Sequence, residues 1–210
     1  MNAVAWSLTG AVLAGGESRR MGRDKAGLDW EGAPLWRRQL NVLRGAGADP
    51  VFVVRRNGQP RLGERVRQRH DTIANAGPLA GLHAALVALP TRWLAVLAVD
   101  MPQIDADWFC WLGQFCRPGI GAVARAPSGF EPLAAIFPRE AAVLAAAHLR
   151  RGDRSLQHLV AALVQMRRLI AVTLPASGSG RVLNWNTPTD AGMTAPPIQV
   201  SAVRSRALTA

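Results

Sequence analysis

Apolar runs of strand length alternate with helical patterns along the first half of the chain. Leu8 to Leu13 reads as a buried first strand. A loop follows, then a helix from about Pro34 to Ala46, with Pro34 suited to its first turn and Gly45 and Gly47 to its end. Val51 to Val54 is β-branched and aromatic, hence a second strand. Leu79, Leu82, Leu86 and Leu89 fall at helical spacing between Pro78 and Leu89, and Pro90 stops that helix. Trp93 to Val99 is nearly unbroken apolar sequence, the pattern of a central strand covered on both faces. Alternation of this kind predicts a parallel sheet with helices on both sides.

The second half is less regular. Asp105 to Cys116 reads as an aromatic-rich helix, Ile120 to Ala124 and Leu133 to Phe137 as strands, and Arg139 to Leu149 as an Ala-rich helix. Asp153 or Arg154 opens a further helix through Leu163, and Leu169 to Leu174 is a strand. Val182 and Leu183 suit a short strand before Asn184. From Thr194 the residues are small, polar and Pro-containing, so 194–210 is expected to be a tail without fixed structure and 1–193 a single domain.

The bulk numbers narrow this further. A length of 210 residues fits one α/β domain with a filled core. No apolar run is long enough to cross a membrane. The opening Met1 to Gly16 is apolar but has no Lys or Arg ahead of it and runs straight into a Gly-rich loop, so it reads as a strand, not a secretion signal. Cys110 and Cys116 match no common zinc or redox spacing, and a reduced, cytoplasmic setting suits them. The net charge of +11 favours anionic partners: nucleotides, phosphorylated small molecules or nucleic acid. Its arginines are scattered along the chain, which argues against nucleic acid. The densest stretch holds Arg55, Arg56, Arg61, Arg65, Arg67 and Arg69. The spacing of Arg61, Arg65 and Arg69 would put them on one solvated helical face.

The segment with the most chemistry is Leu13-Ala14-Gly15-Gly16, continuing through Arg19, Arg20 and Met21-Gly22 to Asp24-Lys25. A strand ending in paired glycines lets the backbone turn tightly and bring its N–H groups against an anion. Arg19, Arg20 and Lys25 supply positive charge around it, which is the chemistry of a phosphate chain. The glycines at 15, 16 and 22 do not make a dinucleotide-binding fingerprint, and no glycine precedes Lys-Ser or Lys-Thr as in a P-loop. Lys25 is the only lysine among 25 basic residues, which suggests a position that needs a compact ammonium instead of a flat guanidinium. Asp100 ends the strongest apolar strand, where ligands of open parallel sheets gather. A carboxylate there suits magnesium beside a polyphosphate, although capping of the helix near Asp105 is the plain alternative. Asp71, Asn184 and Asn186 alone read as turn or cap residues. Trp36, Trp93, Trp108 and Trp111 suit the core, while Trp185 is placed to stack on a base or pterin. His83, His148 and His158 fall in helices and His70 in the Arg-rich stretch, so none stands out as a general base.

Together these motifs resemble the molybdenum cofactor guanylyltransferases. The likeness begins with Leu-Ala-Gly-Gly, Arg-Arg-Met-Gly, Asp-Lys and Gly32-Ala33-Pro34-Leu35. It continues in Gly77-Pro78-Leu79-Ala80-Gly81, Val99-Asp100-Met101-Pro102, Glu131-Pro132-Leu133, Gly152-Asp153-Arg154-Ser155-Leu156 and Asn184-Trp185-Asn186-Thr187-Pro188. The blocks stand in the family's order over about residues 8 to 190. The resemblance implies a Rossmann-like three-layer α/β sandwich with a mostly parallel central sheet, like that of nucleotide-diphospho-sugar transferases. It also implies GTP and molybdopterin as substrates, with magnesium as cofactor.

Carried over residue by residue, Leu13, Ala14, Gly15 and Gly16 line the nucleotide, Lys25 sits on its phosphates, and Asp71 contacts the nucleotide; in the loop's own chemistry Arg19 or Arg20 would help Lys25 offset charge on the departing pyrophosphate. Asp100 holds magnesium, and Asn184 and Asn186 lie near the acceptor or a second metal. Molybdoenzyme apoproteins or their chaperones would receive the product. Arg55 departs from the pattern, standing where relatives often place an Asn near the base. Relatives that use CTP usually carry Ala-Ala-Gly in the loop. Cytidylyl transfer, another phosphorylated acceptor, or an inactive basic nucleic-acid-binding or adaptor protein remain as alternatives.

Overall fold

The computed structural model describes residues 7–15, 25–27, 29–30, 32–63, 66–71, 73 and 76–174. Val182, Leu183 and the expected tail from 194 lie outside them. The chain opens with β1 (Leu8–Leu13) and a 3-10 turn at Lys25–Gly27. A small hairpin of β2 (Asp29–Trp30) and β3 (Ala33–Pro34) leads into α1 (Leu35–Gly45). There follow β4 (Val51–Arg55), β5 (Gln68–His70), α2 (Gly77–Val87), β6 (Trp93–Ala98) and α3 (Ala106–Gly113). The second half holds β7 (Gly121–Ala126), β8 (Gly129–Phe130), β9 (Ala134–Pro138), α4 (Ala141–Arg150), α5 (Leu156–Gln165) and β10 (Leu169–Thr173).

The main sheet has the order β10-β7-β9-β6-β1-β4-β5, with β8 paired to β7. β1 is parallel to both β4 and β6, β4 to β5, and β7 to β10. β9 runs antiparallel between β6 and β7, so the sheet is mixed where simple alternation predicted a parallel one. Its three layers follow from the side-chain alternation of the strands. In β6, Trp93, Ala95 and Leu97 face the layer of α1 and α3, while Leu94 and Val96 face that of α2, α4 and α5. That two-sided burial is why the run carries almost no polar residue.

Several local expectations shift. Pro34 caps α1 from outside instead of opening its first turn. Asp105 caps its own helix, its Oδ1 accepting from the Trp108 N–H at 3.1 Å. Ser155, not Asp153 or Arg154, caps α5, its Oγ accepting from the His158 N–H at 3.2 Å. The Arg-rich stretch does not form a helical face, because Arg69 lies in the edge strand β5; Arg61 and Arg69 are exposed. Trp36, Trp93 and Trp108 are buried as expected, and Trp111 packs partly buried against the same core.

Candidate active site

Because β1, β4, β5, β6, β7 and β10 all run the same way and β9 is reversed, one edge of the sheet collects six carboxyl ends and the start of β9. After β1 the chain builds outward through β4 and β5, then crosses back to β6 on the other side of β1. That reversal makes β1 and β6 the switch point, where open α/β sheets leave a crevice beyond the strand ends. The register pairs Leu13 with Ala98, and the Val99 N–H still donates to the Leu13 carbonyl at 3.0 Å. Ala14 and Gly15 therefore step off the sheet beside Val99 and Asp100.

On the other flank the Ala14 N–H donates to the Val54 carbonyl at 2.9 Å. A Cβ at Gly15 would stand 3.1 Å from the Arg56 backbone nitrogen, so this position needs glycine for close approach. The Asp71 N–H donates to the Arg55 carbonyl at 3.0 Å, which brings Asp71 to the same edge. Its Oδ1 accepts from the Asn57 N–H at 3.3 Å, as a turn-fixing carboxylate does. Arg55 itself is 1% exposed, its side chain inside the fold.

α2 runs back from this edge and presents its amino terminus there. Gly77 has φ +66°, which favours glycine, and the N-cap residue Ala76 has no polar side chain to offer the first N–H groups of this helix. A helix amino terminus beside a glycine-lined turn is an anion-binding arrangement.

Asp100 is half-buried in the turn after β6. That turn is held from beneath by Gln39 of α1, whose buried amide donates to the carbonyls of Ala98 at 3.3 Å and Met101 at 2.8 Å. Arg38 closes the arrangement, donating to Gln39 Oε1 and to the Ile104 carbonyl, both at 3.2 Å. Nothing in the sequence motifs singled out Gln39; the available signal was a polar residue on the apolar stripe of Trp36, Leu40 and Leu43.

On the far side of Asp100 from Gly15 lies a cavity of about 310 Å³, with Ser128, Phe130, Glu131, Leu133, Ser155 and Gln157 in its lining. The Ala98 N–H donates to the Leu133 carbonyl at 2.8 Å, so Glu131 stands two residues beyond the β6/β9 pairing, as Asp100 does on the opposite strand. Burial pushes the Glu131 carboxyl up to about 7. Gln157 ties the hairpin to α5, its Oε1 accepting from the Phe130 N–H at 3.1 Å and its Nε2 donating to the Phe130 carbonyl at 2.7 Å.

The start of α5 is fixed by Asp153. Its Oδ1 accepts from the Ser155 N–H at 3.0 Å, and its Oδ2 meets Nδ1 of His148 at 3.1 Å and of His158 at 3.0 Å. The Ser155 N–H, then the bond and charge of His158, hold the Asp153 carboxyl below its ordinary value. These histidines thus serve a turn, consistent with the structural reading of them.

Leu13, Ala14, Gly15, Asp71 and Asp100 are therefore brought together. The Lys25–Gly27 turn packs against α1, with Ala26 fully buried. Gly16, Arg19, Arg20, Asn184, Trp185 and Asn186 lie outside the described residues.

The MobA-like NTP transferase domain matches residues 10–168. A probable molybdenum cofactor guanylyltransferase of Opitutus terrae is 55% identical over 193 residues, 90% of this chain and 96% of that protein. A molybdenum cofactor guanylyltransferase of Pseudomonas paraeruginosa is 33% identical over 181 residues, 84% and 89% of the two chains. In fold, the chain is similar to molybdopterin-guanine dinucleotide biosynthesis protein A of Archaeoglobus fulgidus, with a TM-score of 0.66, 22% identity, and 88% and 95% coverage.

Proposed function

Since this chain belongs to the MobA-like NTP transferase family, we propose that it transfers GMP from GTP to the phosphate of molybdopterin, forming molybdopterin guanine dinucleotide and pyrophosphate. The observation that carries this reading is the placement of Gly15 and Asp100 beside each other at the switch point, with a cavity lined by Phe130, Glu131 and Leu133 on the β9 side. A transfer between two bound substrates needs a charge-handling residue placed where their reacting groups meet.

An oxygen of the acceptor phosphate attacks the α-phosphorus of GTP. A new P–O bond forms there as the bridge to the β-phosphate breaks, and the electron pair leaves with pyrophosphate. The attacking phosphate is already ionised near neutral pH, so alignment and charge neutralisation supply the catalysis. Leu13, Ala14, Gly15 and Gly16 offer backbone to the nucleotide, and the amino terminus of α2 adds its dipole. Lys25, with Arg19, offsets charge on the departing pyrophosphate. Asp71 contacts the nucleotide, and Asn184 and Asn186 act on the acceptor side or at a second metal.

Asp100 is a single hard oxygen donor, and no group of three or more His, Cys, Asp or Glu side chains forms a metal cage among the described residues. That donor set fits magnesium, which keeps water and phosphate oxygens as most of its ligands. Asp100 would hold the magnesium, which would supply a template and a Lewis acid for the phosphoryl transfer. No helix among the described residues is long and apolar enough to cross a membrane, and the reading is of a cytoplasmic enzyme that hands its product to molybdoenzyme apoproteins or their chaperones. The test is pyrophosphate release from each of the four NTPs with molybdopterin, with and without magnesium. Release with GTP and magnesium alone is expected; release with CTP instead, or with no NTP, would overturn the assignment.

A further inference from the structure

The cavity beyond Asp100 contains one carboxyl group, that of Glu131, which no described residue answers. The Glu131 carboxylate makes no hydrogen bond or ion pair among the described residues, and burial alone accounts for its raised titration. A partly buried carboxylate without donors is a cost to the fold unless something else supplies them. The cavity wall is rigid where Glu131 sits: Gln157 pins both backbone groups of Phe130, and Gly129 at φ +140° lies so close to the Gln157 amide that a Cβ would stand 3.2 Å from its Oε1. The Phe130 ring lines the cavity and is backed by the Arg125 guanidinium, 5.6 Å from its centroid. An aromatic wall beside an unanswered acceptor suits a flat heterocycle with two adjacent N–H donors along one edge.

We propose that Glu131 is a specificity-determining residue that receives the amino-oxo-pyrimidine edge of the acceptor ring, taking its ring N–H and exocyclic amino group on the two carboxylate oxygens while Phe130 flanks the ring face. This rests on the guanylyl-transfer reading for the identity of the acceptor. Guanine and pterin share that edge, so the same chemistry has two sources in one reaction. Position decides between them. Gly15, Asp71 and the start of α2 lie on the β1/β4 side of Asp100, and Glu131 lies on the β9/β7 side. The pterin therefore faces Glu131 and the guanine does not. A two-point carboxylate contact of this kind also discriminates strongly, because an analogue lacking one donor leaves a buried acceptor unpaired.

The experiment uses the full chain and the variant Glu131→Gln, which keeps the shape but offers an amide where the ligand presents an amino group. Two titrations are run on each protein: 6-hydroxymethylpterin followed by its own fluorescence, and a fluorescent GTP analogue with magnesium. The wild type should bind the pterin at least tenfold tighter than 6-hydroxymethyllumazine, which has oxygen in place of the exocyclic amino group. Glu131→Gln should lose at least tenfold in pterin affinity and most of that preference, with GTP affinity unchanged.

Equal pterin affinity in the two proteins, no saturable pterin binding by the wild type, or a loss of GTP affinity without loss of pterin affinity would each overturn the inference. A parallel loss of both ligands marks a structural role and overturns it as well. Glu131-dependent pterin binding in a wild type that ignores GTP would uphold the inference while removing the guanylyl-transfer reading.

Discussion

The Gln39 side-chain amide donates to the Met101 carbonyl at 2.8 Å, and the same nitrogen reaches the Ala98 carbonyl at 3.3 Å, so one buried group grips the chain on both sides of Asp100. Gln39 is fully buried, and its carbonyl oxygen is itself held by Arg38. A carboxylate that must meet a metal and a polyphosphate within a few tenths of an ångström gains from a turn fixed in this way.

Replacing Gln39 with Met keeps volume and apolar packing but removes both donors. Two buried carbonyls then lose a partner, at a cost of about 1–3 kcal/mol of stability. The more specific expectation concerns catalysis. Asp100 would be mispositioned while the Gly15 turn stays intact, so kcat should fall about tenfold or more and the magnesium requirement rise, with KM for GTP little changed. Steady-state kinetics over a magnesium series checks this. A variant with wild-type kcat and magnesium dependence would show that Gln39 only packs.

Lys25→Ala and Asp100→Ala should each lose most turnover while remaining folded. The Asp100 change removes no core apolar area, because Asp100 lies in a half-exposed turn. Losses of about a hundredfold or more are expected where a positioned charge acts on the transferring phosphate. Purified variants with native circular dichroism and wild-type pyrophosphate release would remove both residues from the site.

The two cysteines should differ sharply in reactivity. Cys116 is 6% exposed, its thiol donates to the Leu112 carbonyl at 3.7 Å, and burial pushes it up to about 12. Cys110 is exposed, although burial and the nearby Asp107 and Asp105 raise it somewhat. The thiolate is the reacting form, so at pH 8 a thiol reagent should modify Cys110 in the native protein and reach Cys116 only on unfolding. Labelling followed by mass analysis, with and without denaturant, distinguishes one site from two.

Much of this site was legible before any coordinates, and the exceptions have physical causes. The apolar run ending at Asp100 has the pattern of a doubly covered strand, which β6 is, and of the two glycines after β1 it is Gly15 that makes a close approach. β5 is not legible because Gln68, Arg69 and His70 carry no apolar pattern; the strand joins the sheet by backbone pairing to β4. The reversal of β9 was invisible because an apolar run reads the same in either direction. Asp153 and Ser155 are both good capping residues, and the sequence does not reveal that Asp153 is spent on the turn and two histidines while Ser155 takes the helix. Glu131 sat in a family block without a role, since only the folded hairpin shows that its carboxylate faces a cavity.

Glu131 should also leave a signature in the pH dependence of stability. Its folded value, about 7, lies above the ordinary 4.5, so the native protein holds a proton that the unfolded chain has released between those values. Folding stability from this group is therefore fully present below about pH 4.5 and declines as pH rises towards 7, levelling off above it. Glu131→Gln has no charge to bury and escapes the decline. Relative to wild type, the variant should gain on the order of 1 kcal/mol between pH 5 and pH 8, a figure reduced for the partial exposure of the carboxylate. Urea denaturation of both proteins at the two pH values measures the difference directly. A constant gap between them would mean that Glu131 ionises in the folded protein as easily as in water, and a donor already present in the cavity would then have to be found.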